Sequence, residues 1–185
     1  MLPIFRTRAQ EKVLADLFVR GGDPPSLTEP SERTGIPLST VQREIALLDR
    51  AGIVASQRVG NVRLVRANAD SPFHDDLSSL LLKALGPAAV LAASLRGTEG
   101  VDQAYIFGSW ARRYRDEEGP APNDLDLLVV GTVDPKHVYG LAREAEDRLG
   151  IDVNPVVLSP EEWASAKGLA RRVRAEPLVE VVIRG

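Results

Sequence analysis

Apolar positions change period along the chain, and the changes mark its elements. Between residues 8 and 20, Val13, Leu14, Leu17 and Phe18 share one side of a 3.6-residue repeat, which predicts an amphipathic helix closed by Gly21 and Gly22. SLTEPSERTG predicts a short second helix, opened at Ser26 or nearby and stopped by Gly35, with Pro30 tolerable only in its first turn. In PLSTVQREIALLDRAGIV, Ser39 is the expected N-cap. Val41, Ile45, Leu47 and Leu48 supply that helix's apolar face, and Gly52 ends it. The period then drops to two: IVASQRV and VRLVRA alternate around Gly60-Asn61, as expected of a hairpin.

Helical spacing returns from Pro72 to Gly97, through Leu77, Leu80, Leu81, Leu85, Val90, Leu91 and Leu95, with a break expected at Gly86-Pro87. VDQAYIFGS then reads as a strand running into a turn, and WARRYR as the start of a helix. NDLDLLVVG is apolar enough for the middle of a sheet. It is followed by a helix (VYGLAREAEDRLG, stopped by Gly150), a strand (IDVNPVVLS), a helix (PEEWASAKGLARRVR) and a last strand (PLVEVVIRG). The expected fold class is therefore α/β (α+β). Residues 1–68 form one domain, 69–97 a helical linker, and 98–185 a small mixed sheet flanked by helices.

Charge sharpens this division. A net charge of −3 over the whole chain argues against nucleic-acid binding, but residues 1–68 carry +3 and residues 69–185 carry −6. One half suits phosphate and the other is rich in carboxylates. Zero cysteines exclude a disulfide framework and thiolate metal sites. No apolar stretch approaches the roughly 18 to 20 residues of a membrane span, and MLPIFRTRAQEK lacks the apolar core of a signal peptide. The expectation is a cytoplasmic protein with no membrane partner.

The segment TGIPLSTVQREIALLDRAGIV with the RVGNVRLV hairpin resembles the winged helix-turn-helix of bacterial regulators of the ArsR and MarR sort, across residues 6–67. The resemblance implies duplex DNA as partner. Ser39, Thr40, Gln42 and Arg43 would meet base edges and phosphates, and Arg58, Asn61 and Arg63 would touch the backbone from the hairpin. The same layout also serves protein docking, which would leave these as solvated polar positions. Because palindromic operators mirror protein symmetry, a homodimer formed through residues 73–97 is expected.

In the second half, AYIFGSWARRYRDEEGPAPNDLDLLVVG resembles the Gly-Ser motif and paired-acid strand of the minimal nucleotidyltransferases of the DNA polymerase beta superfamily, over residues 100–160. Asp124 and Asp126 are two apart on a strand, so both point to one face and can hold Mg²⁺ or another divalent cation through hard oxygen ligands. The resemblance implies an NTP as ligand. Gly108, Ser109, Arg112 and Asn123 are its expected contacts, with Asn123 where the family usually has serine. The family's third carboxylate aligns with Asn154, which carries no charge. Asp152, one pleat (roughly 6 to 7 Å) away on the same face, either takes that role as metal ligand and catalytic group or is a solvated strand end. Arg113 stands where the family has glycine, and DEEGPAP lengthens the loop before the acids.

Other polar and aromatic positions add less. His74 and His137, the only histidines, have no metal-ligand partner at short spacing and read as surface residues. Trp110 is either a base-stacking platform or core, Trp163 reads as packing, and the arginines of ARRVR read as a solvated face. Three functions follow from the two resemblances. The first is a DNA-binding regulator whose second domain transfers a nucleotide from an NTP. The second is a catalytically degenerate nucleotide sensor. The third is an antitoxin-like partner of a helical toxin supplied in trans.

Overall fold

The computed structural model describes residues 4–20, 23–114, 122–165 and 167–183. The fold is mixed α/β with two sheets, in two compact units, residues 1–86 and 87–185.

Unit one contains α1 (Arg8–Phe18), α2 (Thr28–Thr34), α3 (Leu38–Arg50), β1 (Val54–Val59), β2 (Val62–Ala67) and α4 (His74–Leu85). The Thr7 hydroxyl caps α1 by accepting the Gln10 N–H at 3.0 Å. As the spacing predicts, Val13, Leu14, Leu17 and Phe18 are buried, and α1 packs against α2, α3, α4 and β2. The expected stop at Gly21-Gly22 lies outside the described residues. Pro30 is in the first turn of α2, whose start is tied by the Glu29 carboxylate accepting the Ser26 N–H at 2.8 Å. Arg33 fixes α2 to α1 by gripping both carboxylate oxygens of Asp16, at 2.8 and 2.7 Å.

Ser39 is not the N-cap of α3. The Pro37 carbonyl accepts the Thr40 and Val41 N–H groups at 2.8 and 3.0 Å, so the helix begins earlier and Ser39 lies within its first turn. The preset φ of proline, −53° here, favours that earlier start. Val41, Ile45 and Leu48 are buried as expected, while Leu47 is only partly so. The hairpin forms as read: Val59 opposes Val62 across Gly60-Asn61, and Gly60 takes the left-handed conformation (φ +59°) that two-residue turns require.

At Gly86 the backbone is extended (φ −74°, ψ 179°), which ends α4 at the expected break before Pro87. By length and composition alone, the 22 residues His74–Leu95 hold an 18-residue stretch, of mean hydropathy 1.5, that is apolar enough to cross a membrane. Leu81, Val90, Leu91 and Leu95 are nevertheless buried within the protein.

Unit two contains α5 (Pro87–Leu95), β3 (Val101–Phe107), α6 (Gly108–Arg113), β4 (Asp124–Gly131), α7 (Pro135–Leu149), β5 (Asp152–Leu158), α8 (Pro160–Ser165), α9 (Gly168–Arg174) and β6 (Val179–Glu180). The sheet order is β5-β4-β3-β6. Strand β4 is interior, antiparallel to β3 and parallel to β5, and α7 supplies the crossover that a parallel pair needs. Leu125, Leu127 and Val129 are buried on one face of β4. Leu128 and Val130 pack on the other with Trp163, Ala170 and Val173. Tyr114, its phenol pushed up to about 12 by burial, accepts the Ala88 N–H at 3.0 Å in the first turn of α5.

Two elements differ from expectation. PEEWASAKGLARRVR is two helices rather than one, because Gly168 has φ +54°, a left-handed value that cannot continue a right-handed helix. The last strand pairs over two residues only, with one further bond from the Val181 N–H to the Ala104 carbonyl at 2.9 Å.

Candidate functional site

The face of β4 that carries Leu128 and Val130 turns acidic at its N-terminal end. Alternation puts Asp124 and Asp126 on that face, and register sets Asp126 opposite Phe107 of β3. The next residue, Gly108, turns the chain into α6 with φ +69°, and a Cβ there would lie 2.5 Å from Asp126 Oδ2. Glycine is therefore needed twice at this position, for its backbone conformation and for the carboxylate's space. On the other side, β5 sets Asp152 beside Asp124 and Asn154 beside Asp126. Gly108, Ser109, Asp124, Asp126, Asp152 and Asn154 thus meet at one end of the sheet.

Burial, and then the charge of Asp124, push the Asp126 carboxyl above the ordinary aspartate range. Glu176 pushes it the same way, and Arg112 and a hydrogen bond from Asn154 oppose the rise. Asn154 Nδ2 also donates to Asp124 Oδ2 at 3.1 Å. Arg112 Nη1 lies 3.7 Å from Glu176 Oε2. Glu176 is the functional candidate the sequence did not offer. It follows α9 in an irregular segment, with no motif or period to mark it, and only the fold brings it to this site.

The oxygen donors of Asp124 and Asp126 fit a hard divalent cation. Among the described residues, no three His, Cys, Asp or Glu side chains are grouped to hold one together. Two carboxylates are thus in place, and Asp152 is their neighbour in register without closing a third position. Asn123 is exposed ahead of β4. Trp110 is 3% exposed, which makes it core rather than a stacking platform, and the Arg113 guanidinium lies 6.0 Å from its ring centre. The DEEGPA part of the acidic loop lies outside the described residues.

In unit one, Ser39, Gln42 and Arg43 are exposed on α3, and Thr40 is partly buried. On the hairpin, Arg58 and Asn61 are exposed, and Arg58 lies directly across from Arg63. Arg63 is engaged within its own unit, donating to Asp49 Oδ2 at 2.9 Å and Ser56 Oγ at 2.8 Å. Sequence reasoning missed Arg66, also exposed on β2, because it lies beyond the turn where a wing tip was sought.

His137 is exposed, whereas His74 is partly buried, 5.9 Å from the Phe18 ring and 2.9 Å from Asp75 Oδ1. Arg171, Arg172 and Arg174 are exposed, with Arg174 stacked 4.2 Å over the buried Trp163. Compared with known protein families, curated proteins and solved structures, the chain matches none of them.

Proposed function

We propose that this chain is a DNA-binding regulator whose second unit is a nucleotidyltransferase-like domain that binds an NTP with Mg²⁺ and transfers a nucleotide to an acceptor. The observation that carries the second half is the Gly108–Asp126 approach. A left-handed glycine closes the end of β3 over a carboxylate that shares its face with Asp124. Asp124 and Asp126 would hold the cation, and Gly108, lacking a side chain, leaves the Asp126 carboxylate its place. Ser109 and Arg112 would bind and orient the phosphates, Arg112 moving from its contact with Glu176. When bound, the cation supplies charge neutralisation at the reacting phosphoryl group. Asp152, beside Asp124, would accept the proton of the acceptor hydroxyl as its oxygen bonds to the α-phosphorus, and the α–β phosphoanhydride bond breaks to release pyrophosphate.

A second reading, a sensor that binds nucleotide without turnover, is favoured by one observation. The position beside Asp126 holds a neutral amide, Asn154, where a third carboxylate would otherwise draw the cation in. Full-length chain titrated with Mg²⁺ and each of the four NTPs tests both readings. Binding is expected for wild type, and Asp124→Asn should weaken it at least about tenfold, because one of two charged ligands is lost. Equal binding by wild type and variant would refute the site. Label transferred from NTP to any acceptor would separate the enzyme from the sensor.

DNA binding by unit one rests on the exposed polar face of α3 and on Arg58 of the hairpin. Arg63 is held by Asp49 and Ser56, so the exposed Arg58 directly across from it is the hairpin charge placed to meet a backbone phosphate. Full-length protein is expected to bind duplex DNA with an affinity that falls steeply as salt rises. Arg58→Ala should weaken binding to all sequences alike and make the salt slope shallower by about one unit. A gel-shift series in which salt has no effect would overturn this half of the proposal.

A further inference from the structure

We propose that Asn154 is a positioning residue, an amide clasp that holds Asp124 and Asp126 together while no cation is bound. The inference rests on the reading of those aspartates as cation ligands. Two neighbouring carboxylates on one strand face repel each other and need positive partners. Asn154 offers two N–H hydrogens on one nitrogen. It donates to Asp124 Oδ2 at 3.1 Å and sits in register beside Asp126. Parallel pairing of β4 with β5 puts that nitrogen on the carboxylates' own face.

An aspartate at this position would add a further charge to a patch that already holds Asp124, Asp126 and Asp152, and would require a cation for relief. The amide does the reverse. It supplies donors that satisfy the pair without any ion, so an entering cation competes with a bond already made. Asp152 stands beside Asp124 but cannot serve as the clasp, because a carboxylate has no proton to donate at neutral pH.

The test uses the full chain as wild type, Asn154→Ala and Asn154→Asp. Thermal unfolding is followed in a chelator, and Mn²⁺ binding is measured by calorimetry. If Asn154 is the clasp, Asn154→Ala lowers the chelator midpoint by a few degrees, as expected for one lost charge-assisted bond. The same change tightens Mn²⁺ binding by about three- to tenfold, because the competing donor is gone. Asn154→Asp lowers the chelator midpoint further and also tightens Mn²⁺. An Asn154→Ala midpoint equal to wild type overturns the clasp. Weaker Mn²⁺ binding in Asn154→Ala also overturns it, since the amide oxygen would then be a ligand. Should no variant bind Mn²⁺, the cation reading of the site fails, and the chelator midpoints alone decide whether the amide holds the pair.

Discussion

Gly108→Ala is expected to lower stability by about 1 to 2 kcal/mol, the cost of a left-handed backbone for a residue with a Cβ, and to weaken NTP-dependent cation binding by about a hundredfold. The second effect exceeds the first for a steric reason. The added methyl would stand 2.5 Å from Asp126 Oδ2, and the side chain can yield only by swinging away. A carboxylate displaced by an ångström or more no longer meets its partner, and misplacements of that size cost about two orders of magnitude at a reacting centre. Denaturant midpoints and calorimetric titration with Mg²⁺ and NTP measure the two effects separately. The double variant Gly108→Ala, Asp126→Ala isolates the clash: the steric part vanishes with the carboxylate while the backbone cost remains. The two substitutions should then destabilise by less than the sum of their separate effects. Wild-type binding by Gly108→Ala would mean that the close approach is incidental to the site.

The carboxylates were legible from the sequence because a strand's period is fixed: Asp124 and Asp126, two apart, could only share a face. An apolar run such as LDLLVV also signals an interior strand, and β4 is paired on both sides. The hairpin was readable for a similar reason, since a Gly-Asn turn between alternating segments leaves one register. Whatever depended on pairing between distant segments was not readable. Only the β4–β5 register decides that Asp152 lies beside Asp124 and that Asn154 reaches its carboxylate. Glu176 comes near through the path of the chain after α9, which no local pattern encodes. Ser39 failed as a cap because sequence preference favours serine, while the Pro37 carbonyl was already placed to receive the first helical N–H groups.

Glu44 shows the same limit within a single helix, and it leads to the second large effect. Its position among Val41, Ile45 and Leu48 places a carboxylate on the buried side of α3, where it is 1% exposed. A charge there requires a partner, but nothing in the local sequence says which. The partner is Arg6, 38 residues earlier, whose Nη2 lies 3.0 Å from Oε1 and 2.8 Å from Oε2. The Thr7 hydroxyl adds a long contact to Oε1 at 3.5 Å. Arg6→Ala leaves the carboxylate buried with only that hydroxyl. Breaking a fully buried pair from one side costs about 3 to 5 kcal/mol. The Arg6 side chain is 58% exposed, so water can replace part of what it gives, and about 2 to 3 kcal/mol is expected here. Glu44→Met combined with Arg6→Ala removes both charges and fills the space with an apolar side chain of similar length. It should recover most of the loss, because the desolvation cost of the carboxylate disappears with it. Chemical denaturation of the full chain at neutral pH measures both variants. An Arg6→Ala protein as stable as wild type would show that the carboxylate finds water or another donor when Arg6 is gone, and that the pair does not hold the N-terminal segment to α3.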